Sequence, residues 1–461
     1  CRLRSPMVTA RDYQSVQDDP RRVAVPLHVC DPAMQSLASD HTHEKRKCDD
    51  VAQRDPVDLP LGRSLLGLPL TVPDDAYDVI VLGGGIQGAG CAQAVAAAGY
   101  RVCLLEQNAW GSGTSSRSSK LIHGGLRYLE TFQFGLVRKS IAERKLLARI
   151  APTLVRPLPF YIPVYEHSRH RPWQVFLGLG VYSAIGGFDR LSRFRVVPKR
   201  EWHRLEGLER AGLQRVFQYW DTQTDDRLLT LAVVNSAEAL GADVRQHARF
   251  LYATPRPGGY RVVYRRGDDE HHADGRAIIN AAGPWAADLQ SRIAGAPAPL
   301  PVELVKGAHI ELAGRISDAV FYVESPHDGR AVFVMPWYDN TLVGTTETAF
   351  SGNPEDANAS DQEVQYLLDA VRGYFPDFAC KLVNSFAGVR VLPRNTSNFS
   401  SRQRDTLLQY DDEREPTLVS VHGGKLTTYR AMAEQIVARL ARTLGPRPGH
   451  RSTRDIIVSR P

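Results

Sequence analysis

The sequence predicts an α/β protein organised around a Rossmann-like dinucleotide-binding unit. Three observations carry that class. Residues 79–82, Val-Ile-Val-Leu, are a β-branched apolar run closed by glycines, the pattern of a strand buried on both faces. Gly83, Gly85 and Gly88 follow at the spacing G-x-G-x-x-G. A second strand, over residues 101–105, ends in Glu106.

Each element has a physical reason. Gly83 permits a tight turn, Gly85 lets backbone approach a pyrophosphate, and Gly88 lets the helix sit close to the strand. The helix over residues 86–98 is mostly alanine and glycine, and its N-terminal amides and dipole suit an anion. Glu106 is placed to accept both hydroxyls of an adenosine ribose. That requires a free 2′-hydroxyl, so FAD or NAD fits and NADP is repelled.

The 461 residues are 43% hydrophobic and 23% charged, which predicts an ordinary soluble α/β protein of two or three domains. The net charge of +6 is modest, and no basic run carries interleaved aromatics, so nucleic acid is not expected as a partner. A weak attraction to acidic membrane surfaces or anionic substrates remains. Six cysteines show no motif spacing, which predicts a reducing compartment. Cys91 and Cys103 fall inside expected core elements. No secretory signal opens the chain, and no apolar run reaches membrane-spanning length. The nearest, residues 173–188, is short and rich in glycine. It reads as a buried helix, with an interfacial segment as the alternative.

Residues 1–75 read as a poorly ordered leader, polar and without periodicity. Cys30, His41, His43 and Cys48 within it match no zinc spacing, so no metal site is expected. After Glu106 comes a Gly-, Ser- and Thr-rich loop, with Thr114 and Ser115, that runs into SSKLIHGGLRYLE. Its hydroxyls and amides suit phosphates and a ribityl chain, and Ser119 and Lys120 are candidates to hold flavin or substrate. Residues 132–150 read as an amphipathic helix with Arg and Lys on the wet face. Residues 152–215 read as an excursion out of the nucleotide unit.

A helix over 232–240 with Gly241 as its cap leads to strands over 244–252, 260–264 and 277–280. The last runs into NAAGPWA, where Gly283 and Pro284 can approach a dinucleotide. Residues 300–385 form another excursion with alternating strands and the polar segment LVGTTET. The chain then returns through GVRVLPR, the strand LVSVHGG and a helix starting KLTTYR, a second strand–glycine–helix anion site.

With HGGLRY, NAAGPWA, VKGAHI, GTTET, GVR and VHGGKLTTYR in this order, residues 77–441 resemble the FAD-dependent, quinone-linked glycerol-3-phosphate dehydrogenases. The family's GVRP appears here as GVRV, its helical C-terminal domain would follow Pro461, and residues 1–75 have no counterpart. The resemblance implies a glutathione-reductase-type FAD domain from residues 76–160, 214–299 and 386–446. It implies an antiparallel-sheet substrate domain from 161–213 and 300–385, with 447–461 as a tail.

The implied reaction oxidises sn-glycerol 3-phosphate at C2 to dihydroxyacetone phosphate, by hydride transfer to FAD and onward to a quinone. By resemblance the catalytic set is Arg127, Tyr128, Thr345 or Thr346, Arg390 and Lys425, with His123 as the proton acceptor. His123, Gly424, Lys425 and Leu426 would also touch the cofactor. A homodimer, peripheral on the inner face of the cytoplasmic membrane, completes the expectation. Two other functions fit the same residues: an oxidase using O₂, and a non-catalytic flavin-binding remnant.

Overall fold

The computed structural model describes residues 76–205, 207–394 and 406–461; the expected leader and its Cys/His residues lie outside them. The apolar run after Ala76 forms the strand Ala76–Leu82 at the centre of a parallel sheet. Val79 pairs with Val102 of the strand Val102–Glu106 on one side and with Ala277 of Asp269–Asn280 on the other. Asp243–Gln246 and Leu418–His422 extend the parallel set, and Leu407–Tyr410 adds an antiparallel edge.

The strand is continuously hydrophobic because each face meets a different core. Val79 and Val81 pack with the helices Ile86–Ala97, Asp226–Ala239 and Tyr429–Leu444. Ile80 and Leu82 pack against Phe250, Val262 and Tyr264 of the hairpin Ala248–Arg256/Gly259–Arg266. Cys91 and Cys103 are fully buried, as expected. The strand expected over 244–252 is two strands, broken at His247 with φ of +59°. There the chain leaves its parallel partner and turns into the antiparallel hairpin.

Among the described residues, ten strands form a second, mostly antiparallel sheet. Its longest pairings join Val155–Tyr165 to Leu213–Thr224 and Val302–Leu312 to Leu382–Pro393. Residues 155–160, 214–224 and 386–393, assigned to the nucleotide unit from sequence, therefore lie in this second sheet. Each belongs to one long strand whose partner is distant in sequence, so no local signal marks the boundary. The helix Asp361–Tyr374 covers one face, started by a Ser360/Glu363 capping box.

Two helices differ from expectation. Phe134–Ile150 exposes Arg138 and Arg149 but buries Glu143 and Arg144. Pro172–Ile185, expected to be buried, is a surface helix: Leu179, Tyr182 and Ser183 face inward, while Trp173 is 66% and Leu177 59% exposed. It is apolar all round, but only one side finds a protein partner. Among the described residues, no helix is long and apolar enough to cross a membrane.

Candidate active site

A cavity of about 890 Å³ is lined by residues of both sheets. At its nucleotide side, Gly83 holds a φ of +102°, and a Cβ there would stand 2.9 Å from the Ala281 carbonyl oxygen. Gly88 does not line this cavity; a Cβ on it would lie 1.8 Å from the Gly83 oxygen, so it sets how closely helix and turn approach. Glu106 accepts from the Gly84 amide at 2.6 Å through Oε2 and from the Asn108 amide at 2.7 Å through Oε1. This fixes the carboxylate at the cavity wall with lone pairs remaining.

The Ser/Thr loop is tied down the same way. Ser115 Oγ accepts from the Ile86 amide at 2.9 Å, and Thr114 Oγ1 donates to the Val389 carbonyl at 2.7 Å. Gly85, Gly283, Gly424 and Leu426 also line the cavity. A fixed carboxylate, a turn of Cβ-free amides and a roomy cavity fit a flavin dinucleotide.

Among the cations that line the same cavity are the three expected from the sequence, Arg127, Arg390 and Lys425. Lys425 Nζ lies 3.7 Å from the centroid of the Tyr128 ring. Arg390 Nη2 donates to the Thr346 carbonyl at 3.1 Å, and Nη1 is 3.4 Å from the buried Glu347 carboxylate. Arg127 Nη2 is buried and has no hydrogen-bond partner among the described residues. His123 lines the cavity, its ring stacked on Tyr128 at 6.4 Å and its amide donating to Thr427 Oγ1 at 3.2 Å. The expected helix at KLTTYR begins later: a single 3₁₀ turn, Leu426–Thr428, precedes Tyr429–Leu444.

Two expected residues point elsewhere. Lys120 is buried with φ of +57°, and its Nζ donates to Asp226 at 2.7 Å and to the Ser116 carbonyl at 2.5 Å. It braces the loop and does not line the cavity. Thr346 Oγ1 accepts from the Ala308 amide at 2.9 Å and donates to Glu363 at 2.9 Å, which leaves Thr345 as the threonine on the cavity.

His309 is the residue that sequence reasoning missed. It lines the cavity from Val302–Leu312, its Nε2 2.9 Å from Ser119 Oγ and its ring stacked on Phe386 at 5.1 Å. Burial, then the charges of Lys120 and Arg390, push its pKa down to about 3, so the ring is neutral near pH 7. Its only sequence signal was a titratable side chain within the VKGAHI segment.

Comparison with known proteins agrees with this geometry. The FAD dependent oxidoreductase family model matches residues 78–434. The chain is 38% identical over 376 residues to the D-erythritol 1-phosphate dehydrogenase of Brucella abortus, covering 79% of this chain and 74% of that one. It is 38% identical over 374 residues to the glycerol-3-phosphate dehydrogenase of Pseudomonas aeruginosa, covering 79% and 72%. Among solved structures, the glycerol-3-phosphate dehydrogenase of Bacillus halodurans complexed with FAD superposes with a TM-score of 0.64 at 25% identity, covering 84% of this chain and 68% of that one. The chain belongs to the FAD-dependent oxidoreductases, within their glycerol-3-phosphate dehydrogenase group.

Proposed function

We propose that this chain oxidises sn-glycerol 3-phosphate at C2 to dihydroxyacetone phosphate. The observation that carries the reading is the gathering of Arg127, Arg390 and Lys425 on the cavity that also holds the dinucleotide turn. A dianionic phosphate needs several fixed charge-assisted donors, and guanidinium groups present them in pairs. The buried Arg127 Nη2, with no hydrogen-bond partner among the described residues, supports this reading.

Bound FAD supplies the acceptor for the hydride that leaves C2. The chain handles the hydroxyl proton. His123 and His309 both line the cavity, and the partly exposed His123 is the proton acceptor in this reading. His309, whose pKa burial and the charges of Lys120 and Arg390 push down to about 3, stays neutral and is a poor base, so it serves as a hydrogen-bonding group of the wall. Its Nε2 lies 2.9 Å from Ser119 Oγ.

The Brucella abortus relative supports a second reading, a four-carbon polyol phosphate at the same cations. Anaerobic mixing of the FAD-loaded protein with each compound decides. The proposal expects glycerol 3-phosphate to bleach the flavin absorption; bleaching only by D-erythritol 1-phosphate would replace it.

The same reading places the electron acceptor, a quinone, in a bilayer that the protein touches peripherally, on the inner face of the cytoplasmic membrane. Its support is the apolar outer side of Pro172–Ile185 with Phe188, flanked by exposed Arg169, Arg171, Arg190 and Arg193.

A further inference from the structure

Beneath the His123–Gly124–Gly125 turn lies a buried ionic cluster. Asp221, on Leu213–Thr224, is 1% exposed, and Arg144 and Tyr182, from the two helices, are fully buried. Arg144 Nη1 donates to Asp221 Oδ1 at 3.0 Å and to the Tyr182 hydroxyl at 3.0 Å. The Tyr182 hydroxyl in turn lies 3.3 Å from Asp221 Oδ2. Arg144 Nη2 donates to Ser192 Oγ at 3.1 Å, which closes the cluster.

What this cluster holds is Gly124. Its amide donates to both oxygens of Asp221 at 3.3 Å. A Cβ on Gly124 would stand 2.0 Å from the Tyr182 hydroxyl and 2.7 Å from Ile141 Cγ1. The residue is therefore pinned on two sides, by a carboxylate at its nitrogen and a hydroxyl at its α-carbon. Its neighbours His123, Arg127 and Tyr128 are the side chains the turn presents to the cavity, and Asp221 itself reaches the cavity wall.

Stability alone does not explain the arrangement. A buried ion pair is often no more stabilising than apolar residues of the same volume, because desolvation offsets the attraction. Here the pair also directs a carboxylate onto one loop amide. We infer that Asp221, clamped by Arg144 and Tyr182, is a positioning residue that sets the 123–128 turn for oxidation of the polyol phosphate, an inference that rests on the reading above. Tyr182 carries the link further, because the outer side of its helix is the exposed apolar one. Displacing a reacting group by about 1 Å can cost on the order of a hundredfold in rate.

The test uses two FAD-loaded variants. Tyr182→Phe removes only the hydroxyl and keeps the packed ring; Asp221→Asn keeps an acceptor for Gly124 and removes the charge. Turnover per bound flavin with glycerol 3-phosphate is measured beside amide hydrogen exchange over residues 121–129. We expect both variants to lose about tenfold or more in kcat per flavin with little change in KM. Exchange over 121–129 should quicken by a similar factor. Should Asp221→Asn fail to fold, Tyr182→Phe decides. Wild-type exchange with wild-type turnover per flavin overturns the inference, as does loss of flavin with unaltered exchange. If the wild-type protein does not oxidise glycerol 3-phosphate, the substrate reading fails. Exchange alone then decides the positioning: faster in the variants supports it, unchanged overturns it.

Discussion

Lys425 Nζ stands 3.7 Å from the centre of the Tyr128 ring. The contact joins the HGGLRY and GGKLTTYR segments into one wall of the cavity, reinforced where the His123 amide donates to Thr427. An ammonium over an aromatic face is attracted by the ring quadrupole, and the ring fixes its direction without neutralising its charge. Lys425 is thereby held at the cavity wall.

Cofactor retention should depend on Glu106. Its two oxygens each accept one backbone amide, which orients the remaining lone pairs toward a ribose diol. Glu106→Arg replaces an acceptor with a donor and adds bulk, so the variant should purify with little FAD. The ratio of flavin to protein absorbance reports it. Full occupancy in the variant would assign Glu106 another role.

His309 gives stability a pH dependence of definite sign. Its folded pKa of about 3 lies below the unfolded value near 6.5. As pH falls, the unfolded chain takes up this proton first. The histidine therefore costs nothing above about pH 6.5 and removes stability between about 6.5 and 3, at up to ~1.4 kcal/mol per pH unit. Urea unfolding at about pH 7.5 and pH 5 should show the wild-type protein losing about 2 kcal/mol more than His309→Gln. Equal losses would mean that the buried ring is not the titrating group.

The surface helix predicts binding to anionic vesicles. Trp173 and Phe176 together, changed to glutamate, remove apolar contact and add like charge to the lipid. The wild-type protein should float with phosphatidylserine-containing liposomes, and the double variant should remain with the soluble fraction. Equal partition of the two proteins would rule out this helix as the contact.

The nucleotide unit was legible because its parts are contiguous. Gly83, Gly85, Gly88 and Glu106 lie in one strand–turn–helix–strand run, where each residue's conformational demand is local. The rest of the site depends on partners far along the chain. Lys120 could be read as a ligand because nothing near it shows that Asp226 will bury beside it. Arg144 read as a wet-face residue because Asp221 is supplied by a distant strand. Thr345 and Thr346 lie in the link between Asn340–Gly344 and Thr348–Phe350, and GTTET alone does not show which hydroxyl meets the cavity. The apolar helix misled for the opposite reason: its composition is that of a core, and its outer side has no protein neighbour.

In the proposed function, Arg390 and Lys425 hold the substrate's phosphate on a flavin site. Truncating either removes charge-assisted hydrogen bonds worth ~1.5–3 kcal/mol, or about ten- to a hundredfold in kcat/KM. Glu347 keeps Arg330 as its partner when Arg390 is removed, so Arg390→Ala does not strand a buried charge. The decisive measurement compares glycerol 3-phosphate with glycerol in the wild-type protein, Arg390→Ala and Lys425→Met, at equal flavin content. The phosphorylated substrate should lose that factor in each variant while the slow oxidation of glycerol barely changes. Equal proportional loss for both substrates would contradict this role and assign these residues to the flavin or the fold.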